Sequence, residues 1–189
     1  MTQTDIELQR PKRADARRNY DKLVAAARDV FTSEGTSAPL EDIAERAGVG
    51  IGTLYRHFPT RQALLEGVYR EEVQALAELA SELGDLPPFE ALSQWLERYV
   101  GFAATKRALT EALLDADPNS DALLACRTAL LGAGDALIER AQAAGEIRSD
   151  TTFSDVGRLV SGIAVVPTID AEQKQRLLML ALDGLRYRA

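Results

Sequence analysis

Residues 40–58, with the sequence LEDIAERAGVGIGTLYRHF, decide the fold of the first third of the chain. This stretch predicts a helix, a tight glycine turn at Gly48 and a second helix. In the second helix, Leu54 and Phe58 lie four residues apart and therefore share one face. The polar side chains of that helix are those of Thr53, Tyr55, Arg56 and His57. One face is thus suited to packing and the other to contact with DNA, because helix pairs of this kind lay side chains into a major groove.

The cysteine and histidine content restricts the chemistry available to the chain. Its 189 residues include one cysteine, Cys126, and one histidine, His57. An intrachain disulfide is therefore impossible, and the chain has no cluster of soft metal ligands. No nucleophile and base form an evident pair, because these two residues are separated by an expected domain boundary. We expect neither an enzyme nor a protein with a metal or another cofactor.

The hydropathy pattern predicts where the protein acts. No positively charged start followed by an apolar stretch occurs near the N-terminus, and no run approaches the roughly 18 apolar residues of a membrane span. We therefore expect a soluble, cytoplasmic protein with no membrane partner.

Charge is distributed unevenly along the chain, whose formal net charge is −7. Residues 1–70 carry 11 basic and 10 acidic side chains, whereas residues 71–189 carry 11 and 19. Residues 10–28 contain seven basic side chains against two acidic ones, directly before the helix pair. A local excess of this sign suits a nucleic-acid phosphate backbone, and the alternative is a solvated, disordered arm.

Helical periodicity runs through nearly the whole chain, and no β-branched run bounded by turns predicts a strand. The expected fold is all-α, with about nine helices. We expect the first helix to end at Gly35, the second to start at Pro39, and the fourth to follow a cap at Thr60. Later helices are expected at about residues 89–105, 106–115, 120–144, 154–166 and 171–188. The expected organisation is a flexible basic arm at 1–15, a helix-turn-helix domain at 16–60, a connecting helix at 61–86 and a second helical domain at 87–189.

The helix pair and its flanks resemble a known family over about residues 17–70. The segments that are similar to the DNA-binding domain of the tetracycline-repressor (TetR) family are Ile43-Ala44, Ala47-Gly48-Val49, the run from Gly52 to Phe58, and Leu64-Leu65. The resemblance implies a three-helix N-terminal domain that binds DNA as a homodimer. It also implies a C-terminal domain that holds a small-molecule pocket and the dimer interface. The function implied is that of a ligand-responsive transcriptional repressor, released from a palindromic operator by its effector.

The same resemblance assigns roles to individual side chains. Thr53 and Tyr55 match positions that contact bases or phosphates. His57 matches a position that contacts the DNA backbone, and Arg61 matches a basic residue that contacts phosphate. A phenol, an imidazole N–H and a guanidinium all donate hydrogen bonds to phosphate oxygens, so the residue types agree with these roles.

The chain departs from the family pattern at Gly50, Ile51 and Gly52, where other members offer a hydroxyl cap and long polar base readers. Sequence discrimination is then left to Thr53, to Arg56, to a thymine methyl against Ile51, or to DNA shape. Hydroxyls before the helix pair and basic residues of the first helix complete the expected contacts. The expected DNA-binding residues are Arg17, Arg18, Thr36, Ser37, Gly50, Ile51, Gly52, Thr53, Tyr55, Arg56, His57 and Arg61.

An aromatic stripe occurs in the second half of the chain, where Trp95, Tyr99 and Phe102 stand at helical spacing. One interpretation is the ordinary core of a helix bundle, which burial statistics favour. The other is the wall of the small-molecule pocket that the resemblance implies. The residues expected around such a pocket are Trp95, Tyr99, Phe102, Leu109, Leu113, Cys126, Leu130 and Leu137.

The last two expected helices are unusually apolar for a surface and include small residues at Gly162 and Gly184. Two such helices can pair with their symmetry mates as a four-helix bundle, and the alternative is burial within one chain. The expected dimer-interface residues are Val156, Leu159, Val160, Ile163, Ala164, Leu177, Leu178, Ala181, Leu182 and Leu185.

The expected partners are a double-stranded DNA operator, a second copy of the chain and an unidentified small-molecule effector. Two other DNA-binding interpretations stay open. The first is a sequence-tolerant architectural protein, which the glycine-rich second helix favours and the acidic second half of the chain opposes. The second is a ligand-independent module in which a filled core replaces the pocket.

Overall fold

The computed structural model describes residues 14–116, 120–166 and 168–186, and these residues form the expected all-α fold. They contain eight α-helices, α1 to α8, and one short 3-10 helix. The α-helices are α1 Ala14–Ser33, α2 Leu40–Arg46, α3 Ile51–His57, α4 Arg61–Glu82, α5 Pro88–Ala116, α6 Asp121–Ala143, α7 Phe153–Ala164 and α8 Ala171–Leu185, and the 3-10 helix is Leu83–Asp85. None of the described helices is long and apolar enough to span a membrane.

The largest difference from the predicted helices concerns α5. The sequence predicts two helices at about 89–105 and 106–115, but Pro88–Ala116 is one continuous helix. No proline follows Pro88 in this helix, and its one glycine, Gly101, is tolerated at a cost of about 1 kcal/mol. Pro88 starts the helix at the position where its missing N–H is harmless.

The predicted basic arm at residues 1–15 lies almost entirely outside the described residues. Ala14 and Asp15 already belong to α1, so this helix begins at least two residues earlier than predicted. The end of α4 at Glu82 also precedes residue 86, the predicted end of the connecting helix, and a 3-10 helix follows α4 directly.

The predicted starts of α2 and α4 and the predicted end of α1 agree with the structure to within one or two residues. Pro39 is the residue immediately before α2 and has the extended backbone of a cap. Thr60 precedes α4 and caps it, because its hydroxyl accepts a hydrogen bond of 3.0 Å from the amide of Ala63. α1 is followed by Gly35, whose φ of +87° is one that glycine adopts easily.

The chain is divided into two compact units, and their boundaries fall inside α4, α5 and α6. The first unit takes the described residues of 1–72 and 105–124, and the second takes those of 73–104 and 125–189. The domain limits predicted from the sequence, at residues 60 and 86, stay a prediction.

The core of the first unit is built where α1, α2 and α3 pack against one another. Each helix contributes side chains that are fully buried, which locks the short helices α2 and α3 onto the longer α1. The fully buried side chains of these three helices and of the start of α4 include Leu23, Ala27, Val30, Ile43, Leu54 and Leu64.

In the second unit, polar side chains tie helix ends together. The guanidinium of Arg140 on α6 donates to the backbone carbonyls of Leu83 and Leu86, and the carbonyl of Leu83 also accepts from the amide of Leu86 at 3.2 Å. The carboxylate of Glu146 accepts from the amide of Phe89 at 2.6 Å, at the start of α5. These bonds fix the turn between α4 and α5.

Candidate nucleic-acid interface

The turn between α2 and α3 is a glycine-centred helix end. Gly48 has a φ of +66°, its amide donates to the carbonyl of Glu45 at 2.9 Å, and the amide of Val49 donates to the carbonyl of Ala44 at 3.0 Å. This pair of bonds is the Schellman arrangement, which ends a helix and turns the chain sharply. A side chain at position 48 would be strained, so the predicted tight glycine turn is confirmed.

Helix α3 presents two different faces. Leu54 is fully buried, and Phe58, which follows the helix, is buried beside it. On the opposite side, Tyr55 exposes 45% of its surface and Arg56 is also exposed. The division of faces predicted from the four-residue spacing of Leu54 and Phe58 is therefore confirmed, and the exposed face carries a phenol and a guanidinium.

The start of α3 has no side-chain cap. Gly50 occupies the capping position, and its carbonyl accepts from the amide of Thr53 at 2.8 Å. Ile51 and Gly52 lie in the exposed first turn. Because Gly50 and Gly52 have no side chain, the backbone at these two positions can approach another molecule closely, and Ile51 exposes an apolar side chain between them.

His57 lies half-buried at the end of α3. Its ring meets the ring of Tyr20 edge-on, with 6.2 Å between centroids. Partial burial, and secondly the positive charge of Arg56, hold the pKa of His57 below its ordinary value. The imidazole is therefore neutral at pH 7 in the free protein, with one N–H available to donate.

Arg61 has a structural role that the sequence does not reveal. Its Nη1 donates to the carbonyls of Thr36 at 3.0 Å and Ala38 at 2.6 Å. The side chain thus holds the turn before α2, from which the exposed Ser37 projects. The predicted phosphate contact of Arg61 stays a prediction, and the remaining guanidinium N–H groups are the ones that would make it.

The remaining expected DNA contacts lie on α1. Arg17 and Arg18 are both exposed, and Arg18 forms an ion pair with Asp15. An exposed pair of this kind contributes little to stability, so Arg18 can exchange Asp15 for a phosphate at small cost.

All twelve expected DNA-binding residues belong to the first unit, and none is buried. The residue that sequence reasoning missed is Tyr20, which supports the His57 ring. Its membership of the apolar stripe of α1 was visible in the sequence, but its contact with α3 was not.

Comparison with known proteins assigns the chain to a family. Residues 23–68 match the model described as bacterial regulatory proteins, tetR family, and residues 87–187 match the model described as transcriptional regulator SbtR-like, C-terminal domain. The TetR transcriptional regulator SCO0520 from Streptomyces coelicolor has a similar structure, with 44% identity, a TM-score of 0.77, and coverage of 90% of this chain and 99% of that one.

The chain belongs to the TetR family of bacterial transcriptional regulators.

Two curated relatives agree with this membership. The HTH-type transcriptional regulator UidR of Escherichia coli (strain K12) is 24% identical over 180 residues, which cover 91% of each chain. The HTH-type transcriptional regulator SAR0097 of Staphylococcus aureus (strain MRSA252) is 33% identical over 70 residues, which cover 36% of this chain and 37% of that protein. Regulators of this family are DNA-binding transcription factors and not enzymes, which agrees with the expectation from sequence.

The residues expected around a TetR-family effector pocket are all buried. Trp95 and Tyr99 stack with 5.5 Å between centroids, and Phe153 meets both rings edge-on at 5.2 and 5.5 Å. The second unit contains this aromatic cluster together with Phe102, Cys126, Leu130 and Leu137, whereas Leu109 and Leu113 belong to the first unit. The sequence did not reveal that Phe153 belongs to this cluster, because Phe153 lies on α7, more than 50 positions after Trp95 and Tyr99.

The space for the Phe153 ring exists because two neighbouring residues are glycines. A Cβ on Gly134 would lie 2.3 Å from the ring, and one on Gly157 would lie 3.2 Å from it. The hydroxyl of Tyr99 pairs with that of Ser161 at 3.1 Å, and the indole N–H of Trp95 donates to the carbonyl of Leu76 at 2.7 Å. The cluster is therefore tightly packed and its polar groups are paired.

The expected dimer-interface residues lie on α7 and α8, and on each of these helices they occupy two faces. Six of them are buried inside the chain, and four are exposed or half-buried. The buried six are Val156, Val160, Ala164, Leu178, Leu182 and Leu185, and the other four are Leu159, Ile163, Leu177 and Ala181. Both faces are apolar, so the spacing of the residues does not separate them, and the outward face also includes Leu180, which is 67% exposed and was not among the expected residues.

Proposed function

We propose that this TetR-family protein is a homodimeric transcriptional repressor that binds a palindromic operator and is released by a small molecule. The exposed face of α3, with Tyr55 and Arg56 at its centre, is the observation that carries the proposal. Two copies of this helix would occupy successive major grooves about 34–36 Å apart, because one recognition helix reads too few base pairs to be selective.

The outer faces of α7 and α8 support the homodimer. Leu177, Leu180, Ala181 and Gly184 stand at i, i+3, i+4 and i+7 on α8, and each is exposed or half-buried. α7 packs against α8 and adds the exposed Leu159. An apolar stripe with small residues on a helix pair is the surface that a four-helix bundle buries when two copies meet.

The aromatic cluster supports an effector of limited polarity. Among the described residues the one buried side chain that carries a charge is Glu72, and it belongs to the first unit. The hydroxyls of Tyr99 and Ser161 are the polar groups that the cluster offers. Burying an unpaired charge there would be costly, so the effector we propose is uncharged, largely apolar and able to bond a hydroxyl.

Release requires that the effector bind the two conformations of the protein unequally. A preference of a few kcal/mol for a conformation whose recognition helices miss the operator spacing would suffice. α4 runs from the first unit into the second, and we propose it as the element that transmits the change.

A second candidate function is a ligand-independent DNA-binding regulator. The tight packing of Phe153 against Trp95 and Tyr99 favours it, because a filled core leaves no obvious place for an effector. Thermal unfolding across a broad compound panel separates the two functions. A concentration-dependent rise in Tm supports the effector, and its absence throughout supports the ligand-independent regulator.

Fluorescence anisotropy tests operator binding directly. The purified protein is titrated onto labelled DNA from upstream of its own gene, and onto a scrambled duplex, across a salt series. We expect tight binding with two protomers per site on the upstream DNA alone. Equal, weak affinity for both duplexes with a steep salt slope would contradict the operator assignment, because only phosphate contacts would then be operating.

A further inference from the structure

Three contacts connect the first three turns of α4 to the rest of the first unit. One lies at each end of this segment and one at its middle, and they reach three different elements. At its start, Arg61 donates to the turn before α2, as described above. The other two contacts involve Gly67 and Glu72, and neither residue is among the expected DNA contacts.

Glu72 is a buried charge with a partner on α1. Glu72 is only 7% exposed, and its Oε1 accepts a hydrogen bond from Nη1 of Arg28 at 3.3 Å. Arg28 is itself 42% exposed and also donates to the carboxylate of Asp29, so the loss of Arg28 weakens the pairing of a buried charge, whereas the loss of Glu72 leaves Arg28 with Asp29. The pair therefore links α4 to α1 at the end of this segment.

Gly67 brings α4 into direct contact with the end of the recognition helix. A Cβ at this position would lie 2.7 Å from Cε1 of Phe58, which is closer than two non-bonded carbon atoms approach in proteins. Phe58 follows α3 directly, and its amide donates to the carbonyl of Leu54 at 2.8 Å. The ring also packs on Tyr20 with 5.1 Å between centroids, so it has little room to yield.

We propose that Gly67 and the Arg28–Glu72 pair are positioning residues for operator binding, which set the orientation of α3 without facing DNA themselves. The inference rests on the proposed function in assuming an operator. Any displacement of α4 within this unit changes the direction in which Tyr55 and Arg56 project, because Phe58 transmits it to α3. A displacement of this kind reduces specific contacts more than it reduces contacts with phosphates in general.

The test compares Gly67→Ala with Gly132→Ala, a substitution on α6 where an added Cβ meets no atom within 4 Å. We expect Gly67→Ala to lower operator affinity about tenfold and to leave affinity for scrambled DNA unchanged. Gly132→Ala should match the wild type. Operator affinity of Gly67→Ala within about twofold of the wild type would overturn the inference.

Glu72→Gln provides a second variant that keeps the size of the side chain and removes its charge. We expect a loss of operator affinity in the same direction, with Tm close to that of the wild type. Arg28→Gln and the double variant complete a cycle, in which a clear coupling between the two substitutions in operator affinity supports the pair. If the effects of the two substitutions on operator affinity are additive, the proposed role of the Arg28–Glu72 pair is overturned.

Amide hydrogen exchange gives a readout that needs no operator. In Gly67→Ala and Glu72→Gln we expect faster exchange confined to residues 51–58, while the second unit exchanges as in the wild type. A merely structural role would accelerate exchange throughout the first unit or lower Tm alone, and would overturn the inference. If the wild type shows no operator preference, the proposed function fails, whereas the exchange result still decides whether these residues position α3.

Discussion

His57 and Tyr20 join the end of α3 to α1 through an edge-on ring contact, with planes inclined at 71° and centroids 6.2 Å apart. Tyr20 is buried, so the imidazole rests on a fixed support and is partly removed from water. Phe58 packs on the same ring from the neighbouring position. The one histidine of the chain is therefore held in a defined orientation at the surface that we expect to meet DNA.

This placement predicts that operator binding depends on pH. Burial, and then the charge of Arg56, lower the pKa of His57, so the free protein holds it neutral at pH 7. A nearby phosphate favours the charged imidazole, so binding takes up a proton. We expect affinity to rise as the pH falls from about 7.5 to about 5.5, by at most about tenfold per pH unit for each histidine. Anisotropy titrations across this range measure it.

The control is His57→Gln, which should bind with an affinity that varies less over the same range. The stability of the free protein should change in the opposite direction. Because the pKa of folded His57 is depressed, its contribution to stability is present above the ordinary value of 6.5 and is lost as the pH falls through the lower folded value. Identical pH profiles for the two proteins would contradict the assigned contact.

Tyr55 is predicted to contribute to operator affinity without contributing to stability. It is exposed on α3 and has no part in the buried face. We expect Tyr55→Ala to weaken operator binding by about 1–2 kcal/mol, roughly 5- to 30-fold, with little change in Tm. Tyr55→Phe removes only the hydroxyl, so it separates the hydrogen bond from the ring contact. Unchanged affinity in both variants would refute the role.

Arg56 allows base contacts to be distinguished from phosphate contacts. If its guanidinium binds a phosphate, Arg56→Gln should weaken binding to the operator and to scrambled DNA equally, and should reduce the salt slope by about 1 for each bound protomer. If it binds a base edge, the loss should be confined to the operator. We expect the second result, because Gly50, Ile51 and Gly52 offer few base-reading groups of their own.

Local sequence patterns predict the helix-turn-helix well, since its decisive interactions are close in the chain. The turn at Gly48 depends on bonds spanning five residues or fewer, and the buried face of α3 follows from the spacing of Leu54 and Phe58. The contact between Phe58 and Gly67 could not be predicted, because a glycine in a helix gives no sign of what packs against it.

The sequence predicts that the second half of the chain is helical, but it does not predict which side chains of these helices pack against one another. Phe153 reaches the Trp95 cluster from a distant helix, which no periodicity reveals. On α8 the spacing identified apolar residues but could not separate the inward face from the outward one, because both are apolar. The orientation of such a helix is decided by its neighbours and not by its own sequence.

The outward face of α8 predicts how the oligomeric state will respond to substitution. Leu180→Asp places a carboxylate in the middle of the proposed dimer interface, twice in each dimer, where burial without a partner costs several kcal/mol. We expect a dimer dissociation constant raised by about 100-fold or more, measured by analytical ultracentrifugation, with parallel loss of operator affinity. Leu124→Asp is the matched control, because Leu124 on α6 is 63% exposed, close to the 67% of Leu180, and lies in the first unit. It should leave the dimer intact. A Leu180→Asp protein that stays dimeric would move the interface away from α8, since a buried pair of unpaired carboxylates could not persist there.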